Sequence, residues 1–145
     1  MTSQYTVRTA DWNTDRQTLS EIRRKVFIEE QNVPEELEWD EFDEISQHIL
    51  ALDNSGNPIG TGRIKPDGQI GRMAVLKDWR NKGVGKSILD ELLKIATQLN
   101  QHEIYLHAQL TAIEFYEKSG FRINSSEFMD AGIPHKTMIK RMGDS

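Results

Sequence analysis

The sequence contains no cysteine. That absence excludes disulfides, thiolate metal sites and a covalent cysteine intermediate. Histidine is sparse: His48, His102, His107 and His135 are scattered, with no i, i+4 pair. The pattern carries no zinc signature, and no metal is expected. Long apolar runs are missing as well; the longest span a few residues, against the ~20 needed to cross a bilayer. The first residues, Met-Thr-Ser-Gln-Tyr, have neither the basic nor the apolar region of a secretory signal. The expectation is a cytoplasmic protein with no membrane partner. No repeat, low-complexity tract or Pro/Gly/Ser-rich linker divides the chain, so residues 1–145 are expected to form one domain.

What is present is 37% hydrophobic and 28% charged, the balance of a globular protein. The net charge of -5 is unevenly spread. Residues 29–44 hold nine of the 23 acids and no base, leaving fourteen acids against eighteen Lys and Arg elsewhere. A basic body with one acidic segment suits a small anionic ligand better than a nucleic-acid duplex. Most of the nine acids read as a solvated face.

Residues 5–9 alternate and predict a first strand. Leu19, Ile22, Val26 and Phe27 recur at helical spacing over 18–27, and Asn32-Val33-Pro34 ends that helix. A strand meander follows at 48–52, 58–64 and 69–76, with turns at 53–57 and 65–68. Gly71 within the third of these strands marks a bulge or a close backbone approach. Ile88, Leu92, Ile95 and Leu99 then form an apolar stripe on a long helix beginning after Gly85. Residues 103–107 read as a strand parallel to 69–76, because a helix connects them. Thr111-Ala-Ile-Glu114 has the form of a capping box opening a short helix that ends at Gly120. Residues 121–123 and 135–142 supply the last two strands. The class is α+β (mixed α/β): about seven mostly antiparallel strands with one parallel pair, flanked by three or four helices.

The chemistry concentrates at Arg80-Asn81-Lys82-Gly83-Val84-Gly85-Lys86-Ser87. A helix start offers unpaired N–H groups and the positive end of its dipole. Gly83 and Gly85 let backbone approach an anion, and Arg80, Lys82 and Lys86 add positive charge. Gly85-Lys86-Ser87 matches the tail of a nucleotide-binding P-loop, but that motif needs glycine where Arg80 stands.

Arg80-x-x-Gly83-x-Gly85, after a strand and opening a helix, resembles the acyl-CoA signature of the GNAT N-acetyltransferases. Ala112-x-x-Phe115-Tyr116-Glu-Lys-x-Gly120-Phe121 resembles the Phe-Tyr-x-x-x-Gly-Phe stretch of the same family. The order of elements agrees over nearly the whole chain. Glu30-Gln31-x-Val33-Pro34, Asp40-x-x-Asp43 leading to His48, Ile70-Gly-Arg-Met-Ala-Val75 and Ala131-Gly-Ile-Pro-His135 are similar to the small bacterial ElaA-type subgroup.

The resemblance implies an acetyl-CoA-dependent N-acyltransferase of GNAT fold, acting on a primary amine of a small molecule or peptide. A non-catalytic acyl-CoA-binding module is the alternative. Met73, Ala74 and Val75 would hold the pantetheine arm, and an N–H there would face the thioester oxyanion. Tyr116 would protonate the departing thiolate. His135 would serve as base, with Glu30, Asp43 and His107 as other candidates. Arg24, Arg72 and Gln109 match substrate-binding positions of glyphosate-type relatives, which carry an arginine where Gln109 stands. The acidic segment points instead to a polycationic amine. A homodimer is expected by analogy with the family.

Overall fold

The computed structural model describes residues 4–142. Eight strands form one sheet in the order β1-β2-β3-β4-β5-β8-β6, with β7 also paired to β8. In chain order they are β1 (Tyr5–Ala10), β2 (Gln47–Asp53), β3 (Pro58–Ile64), β4 (Gln69–Val75), β5 (Glu103–Gln109), β6 (Arg122–Ile123), β7 (Phe128–Asp130) and β8 (Ile133–Arg141). The helices are α1 (Trp12–Arg23), α2 (Glu35–Glu38), α3 (Val84–Gln98) and α4 (Ile113–Glu117). The mixed α/β class stands, with eight strands where seven were expected. The added one is β7, and α2 is a helical turn inside the acidic segment.

Neighbouring residues of β2 face opposite sides of the sheet. Ile49 and Ala51 pack with Val84, Ile88, Leu89, Leu92, Ile95 and Ala96 of α3. Leu50 packs on the other side with Leu19 and Ile22 of α1. Each fully buried Leu or Ile contributes roughly 1.5–3 kcal/mol through removal from water. Gly62 explains how closely α3 lies on β3: a Cβ there would stand 2.9 Å from Ile88 Cγ2 and 3.0 Å from Leu92 Cδ1. Leu99, the expected end of the stripe, is outside α3 and 49% exposed.

Helix α1 starts earlier than the apolar spacing predicts. The Asp11 carboxylate accepts the Asn13 N–H at 3.0 Å, and Asp15 accepts the Asp11 N–H at 3.0 Å. These bonds satisfy donors at the helix start. The helix then widens into a π-turn over Arg24–Glu30, with the Gln31 N–H donating to Val26 O at 3.1 Å. Before α4, Leu110–Ala112 forms a 3-10 turn, and no side chain caps the helix. The expected Thr111/Glu114 capping box is therefore absent; a turn continuous with the helix supplies the start instead.

Two irregularities in β4 position the site. Its register with β3 shifts by one residue between Thr61 and Arg63, and Arg72 adopts a left-handed φ of 50°. The bulge expected near Gly71 is thus centred on its neighbour. β4 pairs with β5 only at Gln69↔Tyr105 and Ile70↔Leu106. Beyond Ile70 the two parallel strands part. In such sheets, ligands bind at the carboxyl ends of diverging strands.

Candidate active site

Two hollows meet where β4 leaves β5. The first, a cleft of about 540 Å³, is lined by Met73, Ala74, Val75, Trp79, Arg80, Asn81, Gly83, Gly85, Lys86, Phe115, Tyr116 and Lys118, among others. The second, about 310 Å³, is lined by Phe27, Gln31, Glu38, Arg72, Met73, His107, Gln109, Tyr116, Asp130 and His135, among others. Met73, Ala112 and Tyr116 belong to both, so they form the junction.

The first cleft gathers most of the expected donor-binding set. Asn81 (φ 62°) and Gly83 (φ 86°) both take left-handed backbone, which folds the turn tightly onto the start of α3. Gly83 stands at the N-cap without a side-chain cap, and no acid lies in the first helical turn. The N–H groups of Val84, Gly85 and Lys86 have no helical acceptor at that position. Those donors and the helix dipole can accept an anion, while Lys86 Nζ is itself paired with Asp90 at 3.0 Å.

Other members of the set serve the fold through their side chains. Val84 is buried in the core. Ser87 Oγ and the Tyr5 hydroxyl are hydrogen-bonded at 2.8 Å. Lys82 Nζ stands 5.2 Å from the Trp79 ring centroid. Arg80 is also engaged: its Nε donates to Val75 O at 2.9 Å, and Nη1 and Nη2 donate to Glu30 at 2.6 and 2.7 Å. The pair holds the Glu30 carboxyl below the usual carboxylate range and raises Arg80.

Tyr116 Oη donates to Met73 Sδ at 3.6 Å. Burial pushes its phenol up to about 12. Desolvation disfavours the phenolate, so the proton is held throughout the neutral range. Phe115 and Phe121 pack edge-on against the ring, fixing its direction.

In the second hollow, β8 is opposed to β5 so that His135 faces Gln109. His135 Nδ1 lies 2.6 Å from Ile133 O. A carbonyl only accepts, so Nδ1 carries the hydrogen and Nε2 is left as the acceptor. Phe128 stacks on His135 and meets His107 edge-on. Burial lowers the His107 imidazole, with Asp130 opposing the shift. Gln109 Nε2 donates to Gln31 Oε1 at 3.0 Å, closing one wall.

The three expected substrate residues separate. Gln109 and Arg72 line the second hollow; Arg24 does not. Arg24 is exposed, bonded to Glu35 at 2.6 Å, and lines a different hollow beside Trp39. The Arg72 guanidinium contacts Glu38 O at 3.0 Å, Glu38 Oε2 at 3.2 Å and Asp40 Oδ2 at 3.2 Å.

Sequence reading missed the buried charge network behind that wall. Arg23 grips Glu38 and Asp43, each at 2.7 Å, and Arg63 grips Asp40 and Asp43 at 2.8 and 2.7 Å. Glu38 and Asp43 are therefore anchors rather than a solvated face. Desolvation raises the Glu38 carboxyl against the pull of Arg23 and Arg72. Asp43 and Glu30 are both committed to arginines, and neither lines the second hollow. Gln31, Phe27 and Asp130 are not among the expected site residues; Gln31 belongs to the Glu30-Gln31-x-Val33-Pro34 motif, Phe27 to the apolar spacing, and Asp130 directly precedes the Ala131–His135 motif. Among the described residues, no group of three or more His, Asp or Glu is placed to hold a metal ion, and no helix is long and apolar enough to cross a membrane.

The model of the acetyltransferase (GNAT) domain matches residues 13–142. The chain belongs to the GNAT family. An uncharacterized N-acetyltransferase of Bacillus subtilis, YjcF, is 43% identical over 123 residues, covering 82% of this GNAT chain and 87% of the relative. Protein ElaA of Escherichia coli is 28% identical over 131 residues, 86% of each chain. The crystal structure of E. coli ElaA superposes with a TM-score of 0.84 at 25% identity, covering 94% of this chain and 99% of that one. A GNAT acetyltransferase of Elizabethkingia anophelis, solved with acetyl-CoA bound, shares the fold at TM-score 0.72 and 17% identity, covering 97% and 100%. The ElaA-like resemblance and the GNAT fold read from the sequence are both borne out.

Proposed function

We propose that this GNAT protein transfers the acetyl group of acetyl-CoA to a primary amine of a small molecule or peptide, by direct attack within a ternary complex. The observation that carries this reading is the junction of two hollows at Met73 and Tyr116. The donor enters through the cleft at the start of α3, and the acceptor enters through the hollow bearing His135.

The unpaired N–H groups of the 80–86 turn hold the CoA pyrophosphate, and β4 from Met73 to Val75 runs beside the pantetheine arm. A free amine is mostly protonated near neutrality, so a base must act first. His135 Nε2 takes that proton; His107, in the same hollow, is the second candidate. The amine nitrogen then attacks the thioester carbon. A backbone N–H of the β4 segment faces the resulting oxyanion. Collapse breaks the C–S bond, the Tyr116 hydroxyl donates its proton to the departing sulfur, and the surplus proton left on the acylated nitrogen is released to solvent, from which Tyr116 is re-protonated. Arg24 and Arg72 are ion-paired, which argues against an acceptor site built for a phosphonate or carboxylate.

The test is a screen of thiol release from acetyl-CoA against amino acids, polyamines, aminoglycosides and peptide N-termini. Turnover with at least one amine, lost in Tyr116→Phe and His135→Ala, supports the reading. CoA binding without turnover across the panel overturns it in favour of a binding module.

A further inference from the structure

Arg80 opens the pyrophosphate turn, yet its side chain reaches sideways to two other parts of the site. Nε closes on the carbonyl of Val75, the last residue of β4, at 2.9 Å. Nη1 and Nη2 form a two-pronged grip on Glu30 at 2.6 and 2.7 Å. Glu30 ends the π-turn. The next residue, Gln31, lines the acceptor hollow and accepts a hydrogen bond from Gln109. One guanidinium thus joins the acceptor wall, the end of the donor strand and the phosphate turn.

The turn needs such a tether. Asn81 sits at φ 62°, a conformation that costs a non-glycine residue free energy unless its surroundings hold it. Arg80, immediately before it, is fixed through three side-chain bonds. The side chains of the pair are 35% and 40% exposed. Exposed pairs add little to global stability, but a bidentate grip fixes direction.

We propose that Glu30 is a positioning residue for acetyl-CoA binding: it acts through Arg80 to hold the phosphate turn in its receiving shape, and the same pair couples donor occupancy to the acceptor wall. The proposal rests on reading residues 80–86 as the CoA turn. Glu30 itself touches neither substrate. Its own charge would repel a pyrophosphate, and the grip of Arg80 neutralises it.

The first test is calorimetric titration of CoA into the wild type, Glu30→Ala, Arg80→Ala and the double variant. Each single change is expected to weaken CoA about tenfold or more, and the double variant to match Arg80→Ala alone. Losses that multiply, or tighter binding by Glu30→Ala, would overturn the proposal; the latter would mean that Glu30 competes with phosphate for Arg80. The second test is amide hydrogen exchange with saturating CoA, using Glu30→Gln to preserve shape. CoA should slow exchange at 81–87 in both proteins, and at 27–33 in the wild type only. Protection at 81–87 with none at 27–33, or equal protection at 27–33 in both proteins, sinks the coupling alone. No protection at 81–87 in the wild type sinks the CoA-turn reading itself.

Discussion

The Tyr116 hydroxyl donates to the Met73 thioether across 3.6 Å, and both side chains line both hollows. The proposed proton donor is therefore parked on a weak acceptor at the point where the thioester sulfur would arrive. Replacing a neutral thioether by a forming thiolate strengthens that bond only as the reaction proceeds, which is the condition for lowering a barrier.

Tyr116→Phe should lower kcat about a hundredfold or more while leaving the KM for acetyl-CoA nearly unchanged. Steady-state thiol release with the best amine from the screen measures both. An equal loss in Tyr116→Phe and in a Met73→Leu control would assign the effect to packing.

The same phenol makes a pH prediction. Its folded value is about 12 against an ordinary 10. A raised value means that the stabilisation is full below pH 10 and is lost as pH climbs through 12. The gap corresponds to roughly 3 kcal/mol at most. Burial, and then the bond to Asp67, pushes Tyr105 up to about 12 as well. Ultraviolet titration of phenolate should show late-ionising tyrosines, one fewer in Tyr116→Phe, and alkaline unfolding should be correspondingly weaker in that variant.

His135→Ala should cut kcat/KM about a hundredfold with CoA binding intact. His107→Ala should fall much less. The reverse ranking in amine-dependent thiol release would transfer the base to His107, whose ring shares the hollow and the Phe128 contact.

Asp43→Ala should destabilise the protein by about 3–5 kcal/mol, because it strips an acid from two buried arginines. Denaturant unfolding followed by tryptophan fluorescence reads the loss directly, since Arg23 lies 5.1 Å from the Trp39 ring. The Arg24→Ala change, at an exposed pair, should stay within about 1 kcal/mol of the wild type.

Gly62→Ala tests the seat of α3. With methyl contacts at 2.9 and 3.0 Å to Ile88 and Leu92, the added carbon must push those side chains aside. A loss of about 1–3 kcal/mol is expected in the same unfolding assay.

The fold was legible wherever periodicity or glycine chemistry carried it. The stripe of α3 and the glycines of its turn declared themselves because each rests on local geometry. β7 did not: three residues are too few to display alternation, and their strand character comes from pairing with β8. Leu99 failed because a period says nothing about where a helix stops. The site divides the same way. Residue types singled out Arg80, Tyr116 and His135 as candidates, but a side chain's partner is a tertiary fact. Sequence could not show that Arg80 turns to Glu30, that Arg72 is spent on Glu38 and Asp40, or that Arg24 pairs with Glu35 beside a different hollow. Most acids of the 29–44 segment are the solvated face that was expected, and the exceptions are Glu38 and Asp43. Glu38 and Asp43 look like their solvated neighbours until Arg23 and Arg63, distant in sequence, are brought beneath them.

The parting of β4 from β5 after Ile70 has a thermodynamic consequence. From Gly71 to Val75 one side of a central strand faces no neighbouring strand, so the sheet carries a seam in its middle. A donor lying along that seam binds the folded chain and not the unfolded one, and linkage then adds its binding free energy to the protein's own. If the acyl-CoA of the proposed reaction lies there, resistance to heat and to proteolysis should rise with its concentration.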